Sequence, residues 1–210
     1  MRTSYIDEET MVKIKKQLTA DEWLPLWIAA EGGMRIGDIL ALKAENVDFG
    51  QVSFRAQKTG KEAVISFEGD LQRVLTARAE YAVRYQPDKY AWLFPSPKDR
   101  RKHLTRQAVW HRVKRACRDA GLPSKGVAPH SFRKRFAVDL FRREGLGAVQ
   151  AALQHDRAQT TEIYALSDFT SGENASLPLL RGDLPEIVRE VLQALRTPEY
   201  QPIHRCSDGI

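Results

Sequence analysis

The stretch Gly33–Leu42, GMRIGDILAL, stands where the chain changes from helical to strand-like patterning. Before it, residues 20–31 carry apolar side chains at helical spacing and end at a pair of glycines, which predicts a helix with a glycine C-cap. An earlier helix over residues 7–18 is favoured by acids in its first turn and lysines in its last. Arg35 is then predicted to lie at the start of a third helix.

Beyond this stretch, apolar and polar residues alternate. QVSFRAQ (residues 51–57) and EAVISFE (residues 62–68) both show this pattern, which is typical of strands. KTGK between them supplies a glycine for a tight turn, so the two strands are predicted to form an antiparallel hairpin with Lys58 at its turn. Helical periodicity returns near residues 70–84. The predicted fold is therefore mainly α with a small antiparallel β-sheet.

The composition narrows the range of functions. With 210 residues and a formal net charge of +6, the chain is long enough for one large domain and favours a polyanionic partner, although proteins that bind nothing anionic also reach this charge. Cys117 and Cys206 do not have metal-ligand spacing, which argues against a zinc finger or a disulfide scaffold. No apolar run approaches the roughly 18 residues of a membrane span. We therefore expect a cytoplasmic protein with no membrane partner.

Residues 98–118 form a basic stretch that includes a predicted helix over residues 105–120. Nine lysines or arginines in this stretch have only Asp99 and Asp119 as acidic neighbours in sequence. This excess favours contact with phosphates, and a solvated helix face is the alternative. The side chains predicted to bind the DNA backbone are Arg101, Lys102, Arg106, Arg112 and Arg115.

A further helix is predicted to begin at Pro129, in the sequence PHSFRKRFAVDLF. Phe132, Phe136 and Leu140 recur every four residues and predict its buried row. His130 and Arg133 are three residues apart and so share one face, which is predicted to point away from that row. The next predicted helix covers residues 146–153.

Several kinds of chemistry are excluded by missing motifs. The chain has no H-E-x-x-H zinc motif, no phosphate-binding G-x-x-x-x-G-K-[ST] loop and no G-x-S-x-G nucleophile turn. The remaining polar candidates suit a phosphodiester, because arginines neutralise nonbridging oxygens, histidine and lysine move protons, and tyrosine can act as nucleophile. Tyr164 taken alone favours a packed core aromatic, since a lone aromatic at helical spacing usually fills an interior. The candidate catalytic residues are Arg35, Lys58, His130, Arg133, His155 and Tyr164.

These residues lie in blocks that resemble the catalytic domain of the tyrosine recombinases, the family of lambda integrase, Xer and Cre. The resemblance covers most of the chain, from about Tyr5 to Leu166, and implies the family's DNA breaking-rejoining fold. The blocks occur in the family's order and are GMRIGDILAL, QKTGK, HSFR and LQHDRAQTTEIY. Three positions depart from the family pattern: Gln154 replaces a glycine, Phe132 a leucine and Lys134 a second histidine.

The resemblance implies a reaction that needs no metal, cofactor or ATP. Tyr164 would attack a DNA phosphate to form a 3′-phosphotyrosyl enzyme and release a 5′-hydroxyl, and a second DNA end would reverse the step. Arg35 and Arg133 would hold the nonbridging oxygens. Lys58 would be the general acid, with Lys61 as its rival.

The remaining site residues have supporting roles in this scheme. His130 would assist as a base toward the tyrosine hydroxyl, His155 would donate to the phosphate, and Asp38 would orient neighbouring groups.

The resemblance also divides the chain. Residues 1–168 are expected to form the catalytic domain, residues 169–183 a linker, residues 184–196 an amphipathic helix, and residues 197–210 a frayed tail. In the family such a helix docks on the adjacent protomer, and folding back onto its own core is the alternative. Because the chain starts almost directly with the catalytic domain, no N-terminal core-binding domain is expected, as in a single-domain member or a fragment.

The expected partners are double-stranded DNA, three further copies of the chain in a homotetramer on DNA, and an accessory DNA-bending protein. In a prokaryote or a phage-infected cell, the protein would associate with the nucleoid. Two other functions stay open. One is a DNA-binding regulator that keeps the fold without cleaving, and the other is a hydrolytic nuclease that would not need Tyr164. A type IB topoisomerase shares the chemistry but not the expected accessory domains.

Overall fold

The structure is a computed structural model, and it describes residues 3–86 and 90–153. The predicted linker, C-terminal helix and tail lie outside the described residues, as do His155 and Tyr164. The helices of the described part are α1 (Glu8–Lys16), α2 (Ala20–Gly32), α3 (Ile36–Leu40), α4 (Gly69–Tyr85), α5 (Arg106–Asp119) and α6 (Pro129–Leu153). A 3₁₀ turn (Ala44–Asn46) precedes the strands β1 (Val47–Asp48), β2 (Gln51–Arg55) and β3 (Glu62–Ser66).

The first two helices begin at side-chain caps, as their sequences predict. Asp7 accepts a hydrogen bond from the backbone N–H of Thr10 at 2.8 Å, which caps α1. Thr19 and Glu22 form a reciprocal capping box at the start of α2. Gly33 ends α2 with φ of 61°, a left-handed conformation that glycine adopts without steric cost.

The predicted hairpin is confirmed, and the sheet has one more strand than predicted. β2 pairs antiparallel with β3, with Val52 opposite Ile65 and Arg55 opposite Glu62. β1 adds to the other edge of β2 in the order β1-β2-β3. Because β1 contains only two residues, it is too short to show the alternation from which strands are predicted.

The basic stretch folds as predicted into α5, capped by Thr105, whose hydroxyl accepts from the N–H of Ala108 at 3.2 Å. The apolar stripe that faces the core consists of Val109, Val113, Ala116 and Cys117. Arg106, Arg112 and Arg115 of the predicted DNA-binding set also lie on α5, whereas Arg101 and Lys102 precede it.

The helix predicted around the HSFR sequence and the helix predicted over residues 146–153 are both present in α6, where Gly145, with a non-helical φ of 79°, separates them. Phe132 is fully buried and meets Trp23 of α2 edge-on at 5.9 Å between ring centroids. A smaller apolar cluster joins the two halves of α6 across the interruption and comprises Ala137, Leu140, Val149 and Leu153. The packing of α6 on α2 brings the HSFR sequence close to α3.

Over residues 3–86 and 90–153, no helix combines the length and apolar character that crossing a membrane requires.

Candidate active site

Arg35 and Asp38 at α3 and Arg133 of α6 come from separate elements that meet at one cleft, whereas Lys58 and His130 are not among its lining residues. The cleft has a volume of about 360 Å³ and is lined by Arg35, Asp38 and Arg133, with residues of β2, β3 and the end of α6. Arg35 is the N-cap residue of α3, which aims its side chain from the helix start. His130 and Arg133 lie in the first turns of α6. Residues 98 apart in sequence therefore line one cleft.

Arg133 is buried at the base of this cleft, with 6% of its surface exposed. Its guanidinium donates to the carbonyl of Gly33 and, at 3.4 Å, to the carbonyl of Leu153. Burial and the nearby charge of Arg35 lower the pKa of Arg133 to about 10, and the charge of Asp38 opposes this shift. Arg133 thus remains charged at neutral pH.

The burial of Arg133 refines the sequence expectation for its helix face. The predicted polar face would carry both His130 and Arg133 away from the buried row, yet His130 is exposed and Arg133 is buried. The cause is tertiary: the end of α2 and the last residues of α6 supply carbonyl acceptors that compensate a buried guanidinium. Sequence periodicity within one helix contains no information about these acceptors.

Asp38 connects the cleft to the Lys58 turn. It is 5% exposed, and its carboxylate accepts from the backbone N–H of Gln57 at 3.0 Å. The side-chain amide of Gln57 donates to the carbonyl of Gly37 at 3.4 Å. The two contacts attach the residue immediately before Lys58 to α3, and the orienting role of Asp38 stays a prediction.

The turn itself is closed by hydrogen bonds that leave Lys58 exposed. The backbone N–H of Ala56 donates to Lys61 O at 2.8 Å, and that of Gly60 donates to Ala56 O at 2.8 Å. Arg55 Nε also donates to Gly60 O at 2.8 Å, so this arginine braces the turn. Sequence analysis did not identify Arg55, because nothing in a strand pattern distinguishes a bracing arginine from a solvated one.

His130 lies among positive charges. Its side chain is exposed, yet the protein atoms around it remove part of the hydration of the charged imidazolium. This loss of hydration and the charges of Arg133, Lys134 and Arg35 all lower the pKa of His130. The imidazole is therefore neutral at physiological pH, the state in which it can accept a proton.

The predicted DNA-binding side chains differ in their ion pairs. Arg112 and Arg115 pair with Glu22 at 3.4 and 2.7 Å. Arg101 and Lys102 pair with Asp99 at 3.0 and 3.9 Å. Glu22 was missed as a counter-charge because it lies on α2, about 90 residues earlier in sequence. Part of the basic stretch is thus neutralised within the fold.

Arg106 differs from these four side chains. Within residues 3–86 and 90–153, it has no ion pair. Its Cδ lies 3.5 Å from the position that a Cβ on Gly37 would take, which places it beside α3 and the cleft. Of the predicted DNA-binding set, Arg106 is the member without an ion pair in the described part of the chain, and its side chain lies beside α3.

In the part of the chain that the structure describes, no three His, Cys, Asp or Glu side chains are grouped so that they could hold a metal ion.

Comparison with known proteins agrees with the fold. Residues 6–171 match the Phage integrase family. Tyrosine recombinase XerD of Pseudomonas putida is 32% identical over 143 residues, which are 63% of this chain and 45% of that protein. XerD of Shewanella oneidensis is 32% identical over 139 residues, with 63% and 44% covered. The chain thus spans about half the length of these relatives.

Solved structures show the same fold at lower identity. XerA recombinase has a TM-score of 0.63 at 20% identity, covering 95% of this chain and 68% of that one. A lambda integrase dimer bound to a COC′ core site has a TM-score of 0.63 at 19% identity, with 79% and 48% covered. XerH in a post-cleavage complex with palindromic difH substrate has a TM-score of 0.63 at 23% identity, with 80% and 51% covered. The predicted fold class is confirmed.

Proposed function

We propose that this chain, which belongs to the Phage integrase family of tyrosine recombinases, is a site-specific recombinase that cleaves and rejoins DNA through a phosphotyrosyl intermediate. The observation that carries the proposal is the meeting of Arg35 and Arg133 at one cleft. The hairpin of Lys58 is tied to the same cleft through Asp38.

The electrostatics of the cleft support a phosphate as its ligand. Arg133 is buried beside Arg35, and their repulsion is visible in the lowered pKa of Arg133. Asp38 is the carboxylate that opposes this repulsion at Arg133. A bound phosphodiester would bring a negative charge to the two guanidiniums, whose donors match its nonbridging oxygens. The positive charge of the two guanidiniums is thus positioned to stabilise the trigonal-bipyramidal phosphorane that forms during transfer.

The reaction then assigns one step to each group. The Tyr164 oxygen forms a bond to phosphorus as its proton passes to His130, and the bond from phosphorus to the 5′-oxygen breaks as Lys58 donates a proton to that oxygen. His155 donates to the phosphate. The product is a 3′-phosphotyrosyl linkage, and attack by another 5′-hydroxyl reverses the step with no external energy.

The geometry around each proton-transfer group supports its role. The lowered pKa of His130 keeps the imidazole free to accept the tyrosine proton. Lys58 is exposed on a closed turn, where its side chain can reach DNA. We prefer Lys58 to Lys61 as the acid because Gln57, next to Lys58, is the residue fixed by Asp38.

The proposed partners are double-stranded DNA, further copies of this chain in a tetramer, and an accessory DNA-bending protein. Support for the tetramer comes from the likeness to a lambda integrase tetramer bound to a Holliday junction, with a TM-score of 0.60. Residues 184–196 are the proposed docking helix between protomers.

A covalent trap tests the proposal. The protein is mixed in EDTA with DNA from the flanks of its own gene, nicked so that the short 5′ strand diffuses away and religation stops. We expect a DNA-linked species on a denaturing gel that is lost in Tyr164→Phe and kept in Tyr81→Phe, a matched change at an exposed tyrosine of α4.

Two outcomes of the trap would contradict the proposal. Cleavage that persists in Tyr164→Phe would indicate a hydrolytic nuclease. Specific DNA binding without any adduct would indicate a regulator that keeps the fold and does not cleave.

A further inference from the structure

The N-terminal segment Thr3–Glu8 is fixed to the start of α6 and to the loop before it. The backbone N–H of Ser4 donates to the carbonyl of Gly126 at 2.9 Å. Ile6 is buried in the core, with 2% of its surface exposed. Lys134 of α6 donates to the carbonyl of Thr3 at 3.2 Å. The segment is thus held by backbone and side-chain contacts over its first residues.

Other side chains of α6 hold the same segment. Arg135 donates to the carbonyl of Ile6 at 3.4 Å and pairs with Glu8 at 2.5 Å. The Tyr5 hydroxyl donates to Asp139 at 3.4 Å. These contacts recur along the helix whose first turns carry the two candidate catalytic residues of the HSFR sequence. A displacement of the segment would therefore act on the helix that presents them.

Of the α6 side chains that hold the segment, Lys134 is the one next in sequence to a candidate catalytic residue. It follows Arg133 directly, and it is 6% exposed. A buried ammonium group next to other cations is unfavourable unless a partner compensates it, and the Thr3 carbonyl is such a partner. Since an apolar side chain could fill the same space without this cost, a structural role alone does not account for a lysine here.

We propose that Lys134 is a positioning residue, which ties the N-terminal segment Thr3–Glu8 to α6 and thereby holds in place the first turns of α6, which carry His130 and Arg133. The catalytic part of this inference rests on the proposed function, because it assumes that these two residues act on a phosphate. The tether itself depends only on the contacts of the fold.

Lys134 also contributes to the charge around His130. The charged groups that face this imidazole in the described part of the chain are Arg133 and Lys134 of α6 and Arg35 of α3. Each favours the neutral imidazole, so loss of the Lys134 charge should raise the pKa of His130. Substitution of a lysine that does not face this imidazole would leave the pKa of His130 unchanged.

The test separates the tether from the charge with two substitutions. Lys134→Met removes both the donor and the charge, whereas Lys134→Gln keeps a donor and removes the charge. Lys16→Met, at an exposed lysine of α1, is the matched control. NMR measures two quantities without DNA: hydrogen exchange of the Ser4 amide and the pKa of His130, whose resonance is identified by its loss in His130→Gln.

In Lys134→Met, we expect Ser4 amide exchange to rise about tenfold, since the lost hydrogen bond frees the segment, and the pKa of His130 to rise. In Lys134→Gln, exchange should stay near the wild-type value and the pKa should still rise. Lys16→Met should change neither. If Lys134→Met does not fold, Lys134→Arg replaces it. It should keep the Ser4 exchange and the His130 pKa near wild type, whereas Lys134→Gln should raise the His130 pKa.

Unchanged Ser4 amide exchange in Lys134→Met, or an unchanged His130 pKa in both Lys134→Met and Lys134→Gln, would overturn the positioning role. The adduct assay gives the catalytic readout, in which the acid limb of the pH profile should move to higher pH in both variants. Absence of any wild-type adduct would instead count against the proposed function. The NMR results would still decide the tether, so the two failures are distinguishable.

Discussion

Replacing Asp38 by alanine should loosen the Lys58 turn while leaving the arginines of the cleft in place. The carboxylate is buried and accepts from Gln57 N–H at 3.0 Å. A hydrogen bond to a charged group contributes about 1.5–3 kcal/mol, so we expect the free energy of unfolding to fall by about 2 kcal/mol. For a domain of this size, the loss corresponds to a Tm about 4–8 °C lower.

The same change should slow cleavage, because the turn no longer holds Lys58 against the leaving 5′-oxygen. Misplacement of a reacting group by about 1 Å can cost up to about a hundredfold in rate. We expect adduct formation to slow by at least about tenfold in Asp38→Ala. Asp38→Asn keeps an acceptor oxygen for Gln57 N–H, so it should lose less stability and less rate.

A substrate with sulfur in place of the bridging 5′-oxygen locates the defect. A thiolate leaves without a proton, so a misplaced general acid no longer limits the rate. With this substrate, Asp38→Ala should react nearly as fast as the wild type if Lys58 is the group affected. If the defect persists, then Asp38 acts on the charge of Arg133 instead, which it opposes electrostatically.

Wild-type stability and a wild-type adduct rate in Asp38→Ala would refute the argument that this carboxylate holds the turn. The Gln57 N–H would then have to find water as an equivalent acceptor once the carboxylate is absent. Circular dichroism of the folded variants controls for a change of fold.

Three further predictions concern other parts of the molecule. Gly33→Ala should destabilise the fold by about 2–5 kcal/mol, because it strains a positive φ and drives a Cβ into an aromatic ring of α6. A loss below about 1 kcal/mol in chemical denaturation would contradict this. Arg106→Gln should weaken DNA binding and reduce the slope of log K against log salt concentration by about one, whereas Arg112→Gln should change this slope less, because Arg112 pairs with Glu22. Equal effects in a salt titration would show that this ion pair does not limit phosphate contact. The rate of adduct formation should stay constant as the pH falls to the ordinary pKa of histidine and should decline only below that pH, since the lowered pKa keeps His130 deprotonated. A decline that begins above the ordinary pKa of histidine would exclude His130 as the base.

The helices were predictable because their signals are local. Asp7, Thr19 and Thr105 cap helices through side chains that precede each helix, and Gly33 ends α2 in the conformation that glycine favours. The bounds predicted for the helices up to residue 120 and for the two strands of the hairpin agree with the structure to within two residues. β1 was missed, since a pair of residues carries no periodicity.

The parts of the site that were not predictable depend on contacts between distant segments. The burial of Arg133 requires carbonyls from the end of α2 and the end of α6. The pairing of Arg112 and Arg115 with Glu22 requires α5 to lie on α2. No spacing within the basic stretch reveals a counter-charge about 90 residues away. His155 and Tyr164 stay predictions from the sequence.

The ion pairs of α5 change what its basic surface can contribute to DNA binding. An arginine that already pairs with Glu22 must exchange one anion for another when it meets a phosphate, so its net contribution to affinity is reduced. Arg106 makes no such exchange within the described part of the chain, and it lies beside α3. Phosphate attraction should therefore be strongest next to the arginine cleft, so the charge distribution would orient DNA toward the candidate catalytic residues as well as bind it.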